Sequence, residues 1–155
     1  IMLYSAESRE LYIGYANGLS SEVVDHTRQK LGEGIAGTVA RTLAPILITE
    51  IVNSPLYRNG REREDIGSSI SVALVHDGKL LGVLNVSTSG NEKKLANKDM
   101  ETITLLASKI APILEQHLLI DAQAIVVGDG PYRDPGVLGV LLPAPAQDAD
   151  LAQGD

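Results

Sequence analysis

Two apolar runs, Ile70 to His76 and Leu80 to Ser87, flank the pair Asp77-Gly78. That pair best tolerates the positive φ angles of a two-residue hairpin turn, so the chain is expected to reverse there. Simple alternation then puts Ile70, Val72 and Leu74 on one face with Leu81, Val83 and Asn85. The other face receives Ser69, Ser71, Ala73, Val75, Leu80, Gly82, Leu84 and Val86. Both faces are largely apolar, which predicts a hairpin at the centre of a sheet that is covered on both sides.

The segments around this hairpin read in the same way. Ile1 to Tyr4 and Leu11 to Ala16 form a second hairpin, with Leu11, Ile13 and Tyr15 alternating onto one face. Ser20 or Ser21 caps a short helix over 21 to 30, and Ile35, Val39 and Leu43 mark one stripe of another helix that ends before Pro45. Ile46 to Ile51 reads as a strand, and residues 52 to 68, rich in charge and free of apolar periodicity, as a surface loop. Asn97 can cap a long helix to about Leu119 whose stripe is Met100, Ile103, Leu106, Ile110, Ile113, Leu114 and Leu118, widened by Leu105. Pro112 predicts a kink or an early stop within it.

Composition removes several kinds of chemistry. The 155 residues contain no Cys, Phe or Trp, so the core is aliphatic and disulfides, thiolate nucleophiles and Cys-ligated zinc are absent. A reducing cytoplasm is compatible with this. The formal charge of −7 argues against neutralising nucleic-acid phosphates. No apolar run approaches the ~20 residues that span a bilayer. Residues 121 to 155 hold only Arg133 against six Asp, with four Pro and five Gly. The expectation is therefore a folded domain over 1–120 and a partly disordered tail over 121–155, with an apolar patch at Val137 to Leu142. The chain also reads as an excerpt of a longer protein, since it opens inside an apolar run.

The stretch KLGEGIAGTVARTLAPILITEI at 30 to 51, SSISVALVHDGKLLGVLNVS at 68 to 87, and the helix containing Asp99, in that order, resemble a GAF domain. The resemblance covers about residues 1 to 120. It implies an α+β, GAF/PAS-like fold, an antiparallel five- or six-stranded sheet with helices packed on one face and a small-molecule pocket on the other, closed by short helices and loops. The family's usual first helix is missing and Ala73 stands where a Pro is frequent. Bilin attachment and free methionine sulfoxide reduction in this family use Cys, so neither is implied here. Of the cyclic-nucleotide signature, Asn85 and Asp99 remain while Leu95 and Met100 depart from it.

Candidate ligand contacts each have two readings. Arg58 and Arg61, with Arg63, can clamp an anion above the pocket, or belong to a solvated mixed-charge run with Glu62, Glu64 and Asp65. Tyr57 can present a ring and a hydroxyl to a cavity, or fill the core. Ser69 and Ser71, with Ala73 and Gly82, leave room for a ligand or for a helix. Asn85 is polar among apolar neighbours on the opposite face, so at most one of these two sets lines a pocket. Gly32, Gly34 and Gly37 can expose backbone donors to an anion or simply allow tight turning and close helix packing. His26, His76 and His117 lack metal-ligand spacing, and no G-x-S-x-G elbow supports a hydrolase.

The expectation is a non-enzymatic, cytoplasmic regulatory sensor that binds an unknown small molecule, without cofactor, metal, nucleic acid or membrane. Its surplus apolar helix surface points to a homodimer through residues 98–118. A ligand-free dimerisation or protein-interaction module of the same fold is the alternative.

Overall fold

The computed structural model describes residues 1–49, 66–89 and 94–127, without the side chains of Ile66 and of 123–127. The chain divides into two units, Ile1–Ile120 and Asp121–Asp155. The elements in chain order are β1 (Met2–Ser5), β2 (Glu10–Ile13), α1 (Ser21–His26), β3 (Arg28–Lys30), α2 (Gly34–Thr42), β4 (Ile46–Ile48), β5 (Ile66–His76), β6 (Lys79–Ser89) and α3 (Asn97–Val127). The strands form one antiparallel six-stranded sheet in the order β3-β2-β1-β6-β5-β4.

The β5–β6 hairpin is central, as its apolar faces require. Asp77 and Gly78 have φ of 47° and 74°, the pair of positive angles that a type I′ turn needs. On one face Leu3, Ile70, Val72, Leu74 and Leu81 pack with Ala107, Ala111 and Leu114 of α3. On the other, Met2, Leu11 and Val83 pack with Ala36, Val39 and Ala40 of α2. Leu11, Val39, Ile70, Leu74 and Val83 are fully buried, and each contributes about 1.5–3 kcal/mol relative to an exposed side chain. The long helix thus occupies one face, and the short α2 covers part of the other.

Several local expectations are corrected. The helix expected over 21 to 30 stops at His26, and Ser20 Oγ accepts its capping bond from the Val23 N–H at 3.4 Å. Extended backbone at Thr27 then leads Arg28–Lys30 onto the open edge of β2, where Arg28 lies 5.6 Å from the Tyr12 ring. Tyr15 lies past the end of β2 and packs with Tyr12 on the α3 side, away from Leu11 and Ile13. Strand β5 starts at Ile66, inside the segment expected to be loop, and the rest of that loop lies outside the described residues. Leu43 closes α2 in the left-handed region, at φ 59°, and is 51% exposed instead of continuing the buried stripe.

The long helix also differs. It runs through Pro112 to Val127. Its start is fixed by Asp99, whose Oδ2 accepts the Ala96 N–H at 2.8 Å, while the Ala96 carbonyl accepts from Met100 at 3.1 Å. Asp99 at the third helical position, and not Asn97, makes the capping bond. Leu105, Leu106 and Ile113 are exposed by 50% or more, while Ala107 and Ala111 are buried. The helix turns its small residues to the sheet because they allow close approach, leaving part of the expected stripe outside.

Two glycines mark close approaches between strands. A Cβ on Gly82 would collide with the Met2 carbonyl of β1, so the space at Gly82 is occupied by backbone and is open neither to ligand nor to helix. A Cβ on Gly14 would collide with the Leu3 side chain.

Candidate ligand site on the α2 face of the sheet

Alternation along β6 is interrupted once, and the site follows from that interruption. Val75 pairs with Leu80 but Leu74 pairs with Gly82, so Leu81 is an extra residue in β6, a β-bulge. Leu81 and Gly82 therefore both lie on the α3 side, and every later residue of β6 is turned over relative to simple alternation. Val83 sits opposite Ala73, Leu84 opposite Val72, and Asn85 opposite Ser71. The expectation that Asn85 and Ser71 occupy opposite faces is thus corrected by one inserted residue.

The consequence is direct contact. Ser71 Oγ donates to Asn85 Oδ1 at 2.6 Å. Ser71 is 1% exposed and Ser69 is 8% exposed, whereas Asn85 is exposed. Strand pairing extends this into two rows, each with two polar residues flanked by an isoleucine: Asn85, Ser71 and Ile46 in one, Ser87, Ser69 and Ile48 in the next. Toward the turn, the same face is apolar and lies under α2, where Val83 and Ala73 meet Val39 and Ala40. The face changes from aliphatic to polar along the strands, a lining that can hold an apolar body and orient a polar end.

The structure brings together Ser69, Ser71 and Asn85. Tyr57, Arg58 and Arg61 lie outside the described residues, as do all of residues 50–65. The glycine turn serves geometry: Gly32 and Gly34 have φ of 89° and 58°. A Cβ on Gly37 would collide with the Lys30 carbonyl, so this glycine lets α2 lie against the end of β3. Among the described residues no group of His, Asp and Glu is arranged to hold a metal. His76 instead lies 3.8 Å from Glu115 of α3, which also meets Lys79 at 3.4 Å.

Sequence reading did not single out two residues that matter here. Gln29 pairs with Leu11, and its Oε1 is buried without a hydrogen-bond partner on the α2 side of the sheet. Ser68 is fully buried on the α3 side, where its Oγ accepts the Leu95 N–H at 2.9 Å. Gln29 lies in no motif, and Ser68 opens the 68 to 87 stretch without anything in it to mark its burial; strand pairing assigns both.

Comparisons with known proteins agree with this architecture. A GAF domain family model matches residues 1–115. The Nif-specific regulatory protein of Azospirillum brasilense is 29% identical over 118 residues, which are 72% of this chain and 19% of that protein. The chain thus spans about a fifth of the length of that curated relative. Among solved structures, the GAF domain of a phosphoenolpyruvate-protein phosphotransferase from Coxiella burnetii superposes with a TM-score of 0.67 at 22% identity, covering 78% of this chain and 73% of that one. Free methionine-R-sulfoxide reductase from Neisseria meningitidis has a TM-score of 0.58 at 23% identity, covering 79% and 67%. With the family model spanning its sheet and most of α3, the chain belongs to the GAF domain family.

Proposed function

We propose that this chain is the small-molecule-sensing regulatory domain of a larger protein, acting in the cytoplasm on an effector outside these residues. The observation that carries the reading is the Ser71–Asn85 pair, a buried hydroxyl holding an exposed amide on the sheet face opposite α3. Similarity to a Nif-specific regulatory protein supports a regulatory role. Tyr57, Arg58 and Arg61 are proposed as further contacts, beside Ser69, Ser71 and Asn85. An enzymatic role like that of the sulfoxide reductase has no support in this chain, because that chemistry in the family uses Cys and none is present.

Native mass spectrometry of the purified chain tests the reading. The expected result is a stoichiometric small-molecule adduct that Asn85→Leu loses while keeping its fold. Bare protein from the native host, with no thermal shift across a metabolite panel, would overturn it.

A second reading, a homodimer through residues 98–118 with or without a ligand, is favoured by one observation. Leu105, Leu106, Ile113, Leu119 and Ile120 are each at least 50% exposed on α3. Leu106, Ile113 and Ile120 recur every seven residues, the spacing that a paired helix rewards. By length and composition α3 could also cross a membrane, but its Ala107, Ala111 and Leu114 are buried on the sheet, which supports a protein partner. Acidic charge speaks against nucleic acid. Sedimentation should give a dimer that Ile113→Glu converts to a folded monomer; a monomeric parent at micromolar concentration sinks the dimer.

A further inference from the structure

Strand β5 carries serines in succession whose side chains serve opposite faces. Ser69 and Ser71 belong to the candidate site. Ser68, between them and the start of the strand, is fully buried on the α3 side. Its N–H donates to Thr88 Oγ1 at 3.2 Å, its Oγ lies 2.9 Å from the same oxygen, and its Oγ accepts the Leu95 N–H at 2.9 Å. Leu95 is itself 8% exposed and part of the core under α3. Immediately after it comes Ala96, whose N–H is held by Asp99 and whose carbonyl accepts the first bonds of the helix.

The pairing of β5 with β6 is irregular at two places, between Ile66 and Ser68 and between Leu74 and Val75. Between them the ladder from Ser68 to Leu74, opposite Gly82 to Thr88, is continuous. A regular ladder is stiff, and bulges are where a strand bends. The Ser71–Asn85 bond lies on one face of this stiff panel and the Ser68–Thr88 bond on the other. Ser68 to Leu95 is one polar contact between the lead-in of α3 and β5, and Glu115 makes others, to His76 and Lys79, beyond the second bulge. Between them the contact is apolar, with Ala107 and Ala111 buried beside Leu114 and with Met100, Ile103 and Ile110 packed against the same cluster.

We propose that Ser68 is the positioning residue that couples the site face of the sheet to the start of α3: a load on Ser71 and Asn85 moves the panel, and Ser68 hands that movement to Leu95. The proposal rests on the reading that the ligand site lies on the Ser71 face. It requires no ligand for its test, so the two fail separately.

The test is a double-mutant cycle on the whole chain, read by amide hydrogen exchange at Leu95, with the Leu3 amide as reference for global stability. Ser68→Ala should raise exchange at Leu95 by about tenfold through loss of its acceptor. Asn85→Ala, on the other face, should raise exchange at Leu95 by about threefold in the parent and leave it unchanged in the Ser68→Ala background. A merely structural Ser68 would give the same Asn85→Ala factor in both backgrounds, and that result overturns the proposal. Thr88→Val, which keeps Ser68 but removes the hydroxyl that orients it, provides a second background in which the Asn85→Ala factor should shrink; an undiminished factor there counts equally against coupling.

Discussion

Ser71 and Asn85 are joined by a 2.6 Å hydrogen bond between β5 and β6 because Leu81 is one residue too many for the β6 ladder. Deleting Leu81 removes the bulge but leaves Leu80 opposite Val75, Gly82 opposite Leu74 and Asn85 opposite Ser71, so the faces of β6 are kept. The deletion variant is therefore expected to unfold cooperatively, as followed by circular dichroism in denaturant, with a loss of about 2–5 kcal/mol from the missing buried leucine; loss of cooperative unfolding would mean that the bulge itself holds the register.

The bond itself is modest in energy. Ser71→Ala should cost about 1 kcal/mol in chemical denaturation, since the Asn85 partner is exposed and water replaces the lost hydroxyl. Asn85→Ala should cost no more. A loss of several kcal/mol in either variant would mean that the pair is a buried structural element and not an accessible site.

Leu43 is held at φ 59° at the end of α2 with 51% of its surface exposed. A side chain in the left-handed region costs about 1–2 kcal/mol, and exposure leaves Leu43 little packing to offset it. Leu43→Gly is expected to raise stability by about 1 kcal/mol, seen as a higher melting temperature. A lower one would show that Leu43 makes a contact worth the strain.

Gly37→Ala should act in the other direction. The new methyl group meets the Lys30 carbonyl, a backbone atom that cannot swing aside, so α2 must move off β3. About 1–3 kcal/mol of destabilisation is expected, with increased exchange at the Gly32 amide, which donates to the Gly37 carbonyl at 2.7 Å.

The face of α3 that meets the sheet can be checked by two substitutions. Ala111→Leu overpacks a fully buried position and should cost about 1–3 kcal/mol. Leu106→Ala, at a position 50% exposed, should cost less than about 1 kcal/mol in the monomer, well short of the 2–5 expected of a core leucine at about that size. The reverse order would restore the helix face that apolar periodicity favours.

The burial of Ala107 and Ala111 also shows where sequence reading stopped. The hairpin at Asp77-Gly78 was legible because only residues tolerant of positive φ turn so tightly, and Ser20 and Gly32 to Gly37 were legible for similar local reasons. Long-range geometry was not. On α3 the largest apolar residues suggest a core that includes Leu106 and Ile113, but close approach to a sheet rewards Ala107 and Ala111. Strand β3 has no apolar pattern, as Arg28-Gln29-Lys30 shows, and exists because β2 offers an unpaired edge. The one mark of the bulge at Leu81 is the strand glycine beside it, Gly82, which also reads as room for a ligand or a helix, so Ser69, Ser71 and Asn85 were each identifiable as candidates while their convergence was not.

Gly82 within β6 and Gly14 just past the end of β2 constrain variation differently. Gly82 faces the main-chain carbonyl of residue 2, which every amino acid possesses. No substitution at position 2 can make room there, so the requirement for glycine at 82 is unconditional. Gly14 faces the side chain of Leu3, and a smaller residue at position 3 would release it. Sequences of this fold that keep the bulge should hold glycine at 82 whatever stands at 2, while positions 3 and 14 should change together, trading bulk from one strand to the next.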